Sequence, residues 1–307
     1  MTGGEPERAE EVETDAELAR GLVATQFPGW SDLAIRRVEA ASTDNDIYRL
    51  GDRLAVRLPR RDGAVAPIEK EHLWLSRLAP SLPVAIPTPV AKGAPGLGFP
   101  YPWGVVRWIE GEPPGTAAIT DVEIARDLAL FIAALHEIDA TGGPSPGAHN
   151  FWRGAPLRAF DAELRRRFEW LSDVDDIVTI AAAWEWGLQT AARTGSPTWI
   201  HGDLKSANLL LRGERLGGVL DWSAAGVGDP AVDVAVAWTL LAGDARAAFR
   251  ETLAVDEAMW ARGRAWALIE GVLGLSYYRG RNDELAVAGR CVIDAVLDDP
   301  GPPARAS

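Results

Sequence analysis

Apolar and polar positions change period along this chain, and the change divides it. Up to about Trp108 the pattern is that of strands with one helix; past residues 110–115 apolar residues recur three or four apart, the spacing of helices. The acidic first twenty residues read as a charged tail running into a helix that ends before Phe27-Pro28-Gly29. Two short runs, Ile47-Tyr48-Arg49-Leu50 and Leu54-Ala55-Val56-Arg57-Leu58, flank the turn residues Gly51 and Asp52 and form a hairpin pattern. Alternation then puts Leu54, Val56 and Leu58 on one face and Arg57 on the other. Pro67 reads as the first-turn residue of a helix stopped by Pro80 and Pro83, and a proline-rich stretch leads to a short apolar strand over residues 104–109.

Helical spacing then covers residues 121–138, 157–171 and 177–190, and returns from Pro230 to Leu297 with breaks at Gly243-Asp244, Val255-Asp256 and Asn282-Asp283. Between these lies a non-helical island: Trp199 to Asp203, Asn208 to Leu211, and Gly218 to Asp221. The expected organisation is an α+β protein with a tail (1–20), a small β-rich lobe (21–109), a linker (110–115) and a larger, mainly helical lobe (116–307) holding a short strand-and-loop insert.

Composition narrows the function. The 307 residues carry 31 Lys plus Arg against 44 Asp plus Glu, a formal charge of −13 and a pI near 4.8. Nucleic acid is not an expected partner of so acidic a chain. The balance is uneven: residues 21–111 carry +2, residues 112–307 carry −10, and the first twenty carry −5. A lone Cys291 excludes an internal disulfide and multi-cysteine zinc sites, and four dispersed His do not support a zincin site. Neither an export signal nor an apolar run long enough to span a membrane is visible, so a cytoplasmic protein with no membrane partner is the expectation.

The insert holds the chemistry. His201-Gly202-Asp203-Leu204-Lys205-Ser206-Ala207-Asn208 follows one apolar strand, and Asp221 follows another. A carboxylate and an amide that present oxygen to a hard cation, beside a second carboxylate that accepts a proton, suit phosphoryl transfer from a nucleotide. Asn208 and Asp221 fit the metal role, leaving Asp203 to orient and deprotonate an attacking hydroxyl. Gly228-Asp229-Pro230 reads as a helix cap, and Asp233, one turn on, as a brace for the same loop.

This block, with the following run from Asp221 to Asp233, resembles the catalytic segment of the aminoglycoside and macrolide phosphotransferase family, small-molecule relatives of the protein kinases. Asp44 to Leu50, Leu54 to Arg61 and Ile68 to Glu71 fall in the family's order. The resemblance implies a two-lobed protein-kinase-like fold in which ATP or GTP and Mg2+ bind and a hydroxylated small molecule, such as a cationic aminoglycoside or a macrolide, is the acceptor. It implies that Asp203 is the catalytic base, that Asn208 and Asp221 hold the metal, and that His201 braces the loop. The segment from Ser42 through Asn45 to Asp46 resembles the loop over the nucleotide phosphates, and the backbone at Arg107 and Ile109 the hinge that hydrogen-bonds the purine. Arg57, with Glu71 as partner, stands where many relatives have a Lys–Glu pair, and its planar fork can serve phosphate and carboxylate together. Lys205 occupies the position from which a protein-kinase lysine reaches the γ-phosphate.

A protein kinase is disfavoured: Gly202 stands where such enzymes carry Arg, Trp222-Ser223 where they carry Phe-Gly, and the stretch between Asp221 and the next helix leaves no room for an activation segment. A kinase of a metabolic amino alcohol or sugar and a non-catalytic nucleotide-binding protein are the alternatives. Trp152, Trp170, Trp184 and Trp186 could supply a flat wall for a ring or simply core packing, and Glu163, Asp173, Asp175, Asp176, Glu270 and Asp294 are candidates for contacting a cation. The sequence does not define the oligomeric state.

Overall fold

The computed structural model describes residues 11–39, 44–189 and 195–299. The chain forms two compact units. The first comprises residues 1–112 with 210–212 and 217–223; the second comprises 113–209, 213–216 and 224–307.

In the first unit, α1 (Ala16–Gln26) starts at Asp15, whose carboxylate accepts the Leu18 N–H at 2.7 Å. Strands β1 (Ile35–Val38), β2 (Asn45–Leu50) and β3 (Leu54–Pro59) precede α2 (Val65–Leu78), and β4 (Pro89–Gly93) and β5 (Trp103–Arg107) follow it. The five strands form one antiparallel sheet in the order β1-β2-β3-β5-β4. Its core joins Leu22 and Val23 of α1 to Tyr48, Leu50, Val56, Leu58, Trp103 and Val105. Close packing here depends on Gly93, where a Cβ would fall 2.0 Å from the Trp103 ring. Part of the expected tail is therefore structural: Ala19 is buried, and the Thr14 hydroxyl donates to Asp46 at 2.6 Å. The α2 helix begins two residues before Pro67, because a 3-10 turn over Asp62–Ala64 feeds into it and Pro67 still sits where its missing N–H is no loss.

The second unit opens with α3 (Val122–Glu137), capped by Asp121, then α4 (Asp161–Trp170) and α5 (Ile177–Gln189). Next come β6 (Thr198–Ile200), the hairpin strands β7 (Leu209–Arg212) and β8 (Arg215–Val219), and β9 (Gly226–Gly228), which pairs antiparallel with β6. Residues 210–212 and 217–223, the latter carrying Asp221, group with the first unit. Two single-turn helices, α6 (Ala231–Val234) and α7 (Val236–Thr239), lead to α8 (Asp244–Leu253), α9 (Glu257–Tyr278) and α10 (Asp283–Leu297). The central α9 is buried on nearly every face, and α10 packs against it. Among the described residues no helix is long and apolar enough to cross a membrane.

Candidate active site

The strand–loop junction after β6 fixes Asp203. His201 is fully buried. Its N–H and that of Gly202 donate to the two oxygens of Asp233, at 2.9 and 2.8 Å, so one carboxylate holds the backbone on both sides of the junction. His201 Nδ1 accepts the Asp203 N–H at 3.3 Å, fixing the turn from inside. Gly202 has φ +78°, and a Cβ there would lie 3.0 Å from the Ala224 carbonyl oxygen, so this position demands glycine. Beyond it, Asn208 Nδ2 donates to the Asp203 carbonyl at 2.8 Å and to its Oδ2 at 3.2 Å, while Lys205 Nζ lies 2.8 Å from the same Oδ2. Asp229 accepts the Ala231 N–H at 3.1 Å and pairs with Arg262 at 2.8 Å, anchoring the segment to α9; the helix cap proper falls one residue later, on Pro230.

Two carboxylates in this unit are electrostatically tuned. Glu270 on α9 pairs with Arg153 at 2.9 Å. Burial raises its pKa; Arg153 opposes the rise and Asp203 adds to it. Asp127 on α3 accepts from Arg215 at 2.7 and 2.5 Å and from the Leu216 N–H at 3.1 Å, and the Arg215 hydrogen bonds hold its pKa below the ordinary value against burial.

In the first unit, Arg57 on β3 pairs with Glu71 on α2; their side chains are 13% and 4% exposed. Burial opposes the Arg57 charge, but Glu71 and then Asp221 outweigh it, and the pKa stands above the ordinary value. Glu69 instead pairs with Lys92 at 2.6 Å, so it does not compete for Arg57. Asp221 takes a left-handed backbone, φ +54°, and its Oδ1 accepts the Ser223 N–H at 3.3 Å. Lys70, which the sequence pattern did not single out, donates to the Ser223 carbonyl; burial lowers its pKa to about 8 although Glu71 and Asp221 favour its charge. Asn45 is buried at the start of β2. Ser42 lies outside the described residues.

Arg107, one of the two expected hinge positions, closes β5. Its N–H donates to the Thr88 carbonyl at 2.9 Å, because β5 continues through this residue, so that donor is committed within the unit. Ile109 is buried, packed where a Cβ on Gly218 would come within 2.6 Å of its Cγ2.

The small antiparallel sheet unit and the larger helical unit are those of a protein-kinase-like fold. The chain belongs to the phosphotransferase enzyme family, whose model matches residues 35–266. It is 27% identical over 233 residues, 70% of each chain, to the uncharacterized protein YcbJ of Bacillus subtilis (strain 168). Among solved structures, it is similar to an aminoglycoside 2'-phosphotransferase in its GDP complex, with a TM-score of 0.69, 17% identity and coverage of 93% of this chain and 99% of that one. It is also similar to the macrolide 2'-phosphotransferase of Brachybacterium faecium, with a TM-score of 0.62, 24% identity and coverage of 94% and 99%.

Proposed function

We propose that the protein transfers the γ-phosphoryl group of ATP or GTP to a hydroxyl of a small molecule of the aminoglycoside or macrolide kind. The observation that carries this reading is the Asp203 carboxylate, held on a glycine-dependent turn by Asp233 and Asn208. In the transfer, Asp203 takes the proton of the acceptor hydroxyl as its oxygen bonds to phosphorus and the bridging oxygen leaves with the nucleoside diphosphate. Lys205, salt-bridged to Asp203, serves as a phosphate-facing cation.

Asn208 and Asp221 are the oxygen donors we assign to magnesium. The donor chemistry fits: the Asn208 amide nitrogen is spent on Asp203, which leaves its carbonyl oxygen to face a cation, and Asp221 adds a carboxylate. Magnesium, when bound, neutralises charge developing on the phosphates. Arg57, oriented by Glu71, is assigned to the donor phosphates, and the segment containing Ser42 and Asn45 to the loop that covers them.

The test is release of nucleoside diphosphate by the full chain with ATP or GTP and magnesium, against aminoglycosides, macrolides, amino alcohols and sugars. Asp203→Asn should lower turnover by about 10²–10⁴-fold while nucleotide affinity stays nearly constant. Substantial turnover by that variant would remove Asp203 from the role of base.

A further inference from the structure

We infer that Lys70 is a positioning residue for the donor's metal: from α2 it fastens the turn that presents Asp221, so that one helix sets both this ligand and, through Glu71, the Arg57 guanidinium. This rests on the phosphotransferase reading above and deepens it.

The turn needs a tie. Asp221 has φ +54°, a left-handed backbone that a residue other than glycine keeps only where its surroundings enforce it. Two restraints come from the segment itself: Asp221 Oδ1 accepts the Ser223 N–H at 3.3 Å, and Trp222, 1% exposed, donates its indole N–H to the Val219 carbonyl at 3.1 Å. Both are neutral donors, and the first bond is long. A further restraint comes from 153 positions away, where the Lys70 ammonium donates to the Ser223 carbonyl. A charged donor makes the stronger bond, and an ammonium can only donate.

The helix explains why Lys70 and Glu71 act on different partners. Consecutive helical residues point about 100° apart, so the two side chains leave α2 in different directions. Glu71 is buried against Arg57 of β3, and Lys70 is turned to the segment after β8. Burial opposes the ammonium, as it opposes Arg57, and Asp221 favours both charges. A lysine on the solvated side of α2 would carry no such desolvation cost. The platform is fixed: Ile68, Leu75 and Leu78 form the buried face of α2, and a Cβ on Gly104 of β5 would lie 3.4 Å from Ile68 Cγ2. All these groups lie in the first unit. Displacing Asp221 therefore means breaking the Lys70 bond or shifting the helix that also orients Arg57.

The experiment is calorimetric titration of the full chain with a non-hydrolysable ATP or GTP analogue, in EDTA and across a magnesium series, beside urea unfolding. Lys70→Met removes the donor, and Lys70→Gln is too short to reach Ser223. Both should raise the magnesium concentration for half-maximal binding about tenfold and leave the affinity in EDTA within about twofold of the wild type. Lys70→Arg, which keeps a charged donor, should recover most of the loss. A lysine serving stability alone would move the urea midpoint and not the magnesium midpoint. An unchanged magnesium midpoint, an equal weakening in EDTA, or a Lys70→Arg variant as impaired as Lys70→Met would overturn the inference. Hydrogen exchange at the Trp222 and Ser223 amides, read in parallel, should quicken in Lys70→Met and not in Lys70→Arg; unchanged exchange would overturn the inference whether or not nucleotide binds. A chain whose exchange responds in this way but which binds no nucleotide at any magnesium concentration would refute the phosphotransferase reading and leave the tie between Lys70 and the turn standing.

Discussion

Replacing Glu71 by Gln isolates the energetics of the Arg57 site. Arg57 and Glu71 are both shielded from water, so the substitution leaves a guanidinium in low dielectric without its carboxylate. Removing one member of a buried pair costs about 3–5 kcal/mol, and the residual attraction of Asp221 for Arg57 places this case near 3 kcal/mol. Replacing both residues by methionine removes both charges and should cost less than about 1.5 kcal/mol, since apolar side chains of similar volume substitute well for a buried pair. Urea unfolding of the wild type, Arg57→Met, Glu71→Met and the Arg57→Met/Glu71→Met double variant gives the cycle, with Glu71→Gln measured beside them, and nucleotide titration of each separates stability from phosphate binding. A Glu71→Gln loss within about 0.5 kcal/mol, or a double variant as unstable as the single one, would refute the view that desolvation governs this pair.

Three further outcomes follow from other contacts. Gly154→Ala, which forces a left-handed alanine with its Cβ 2.6 Å from Ile200 Cδ1, should destabilise by about 2–4 kcal/mol in thermal unfolding. Glu270 has a raised folded pKa, so its share of stability is full below the ordinary value of 4.5 and is lost as pH rises beyond it; Glu270→Gln should therefore gain on the wild type as pH climbs toward neutrality, and a pH-independent difference would contradict this. Asp127 has a lowered pKa, so its contribution is present above the ordinary 3.8 and disappears as pH falls through the lower folded value. Asp127→Asn should cost about 1–2 kcal/mol at neutral pH, allowing for the solvent around Arg215, and almost nothing in strong acid.

The β2–β3 hairpin, the long helices of the second unit and the loop around Asp203 were legible because their signals are local: a two-residue period, a three-to-four-residue period, and polar residues crowded between apolar strands. Arg57 with Glu71 was legible from strand alternation joined to the family's order. What escaped were pairings that only the folded chain creates. Lys70 meets Ser223 across 153 positions, Arg153 meets Glu270 across 117, and Asp127 meets Arg215 across 88. Their sequence neighbourhoods look like ordinary solvated charge. The turn at Phe151 and Trp152, both left-handed, left one faint trace, an Asn and a Gly bracketing three large residues, which composition alone cannot distinguish from a loop. Pro67 marks the first turn of α2 but not its first residue, because proline is tolerated throughout that turn.

The contact between α9 and α10 has a mechanical meaning. A Cβ on Gly289 would stand 2.5 Å from the Leu275 nitrogen and 3.0 Å from the Gly271 oxygen, so the two helices touch backbone to backbone with no side chain to act as a cushion. Arg264 adds hydrogen bonds of 3.0 and 2.6 Å to the Val296 carbonyl. Such a joint cannot slide by fractions of a turn: α10 moves with α9 or separates from it. Glu270 directly precedes Gly271, so the backbone that carries the carboxylate paired with Arg153 is itself one surface of that joint.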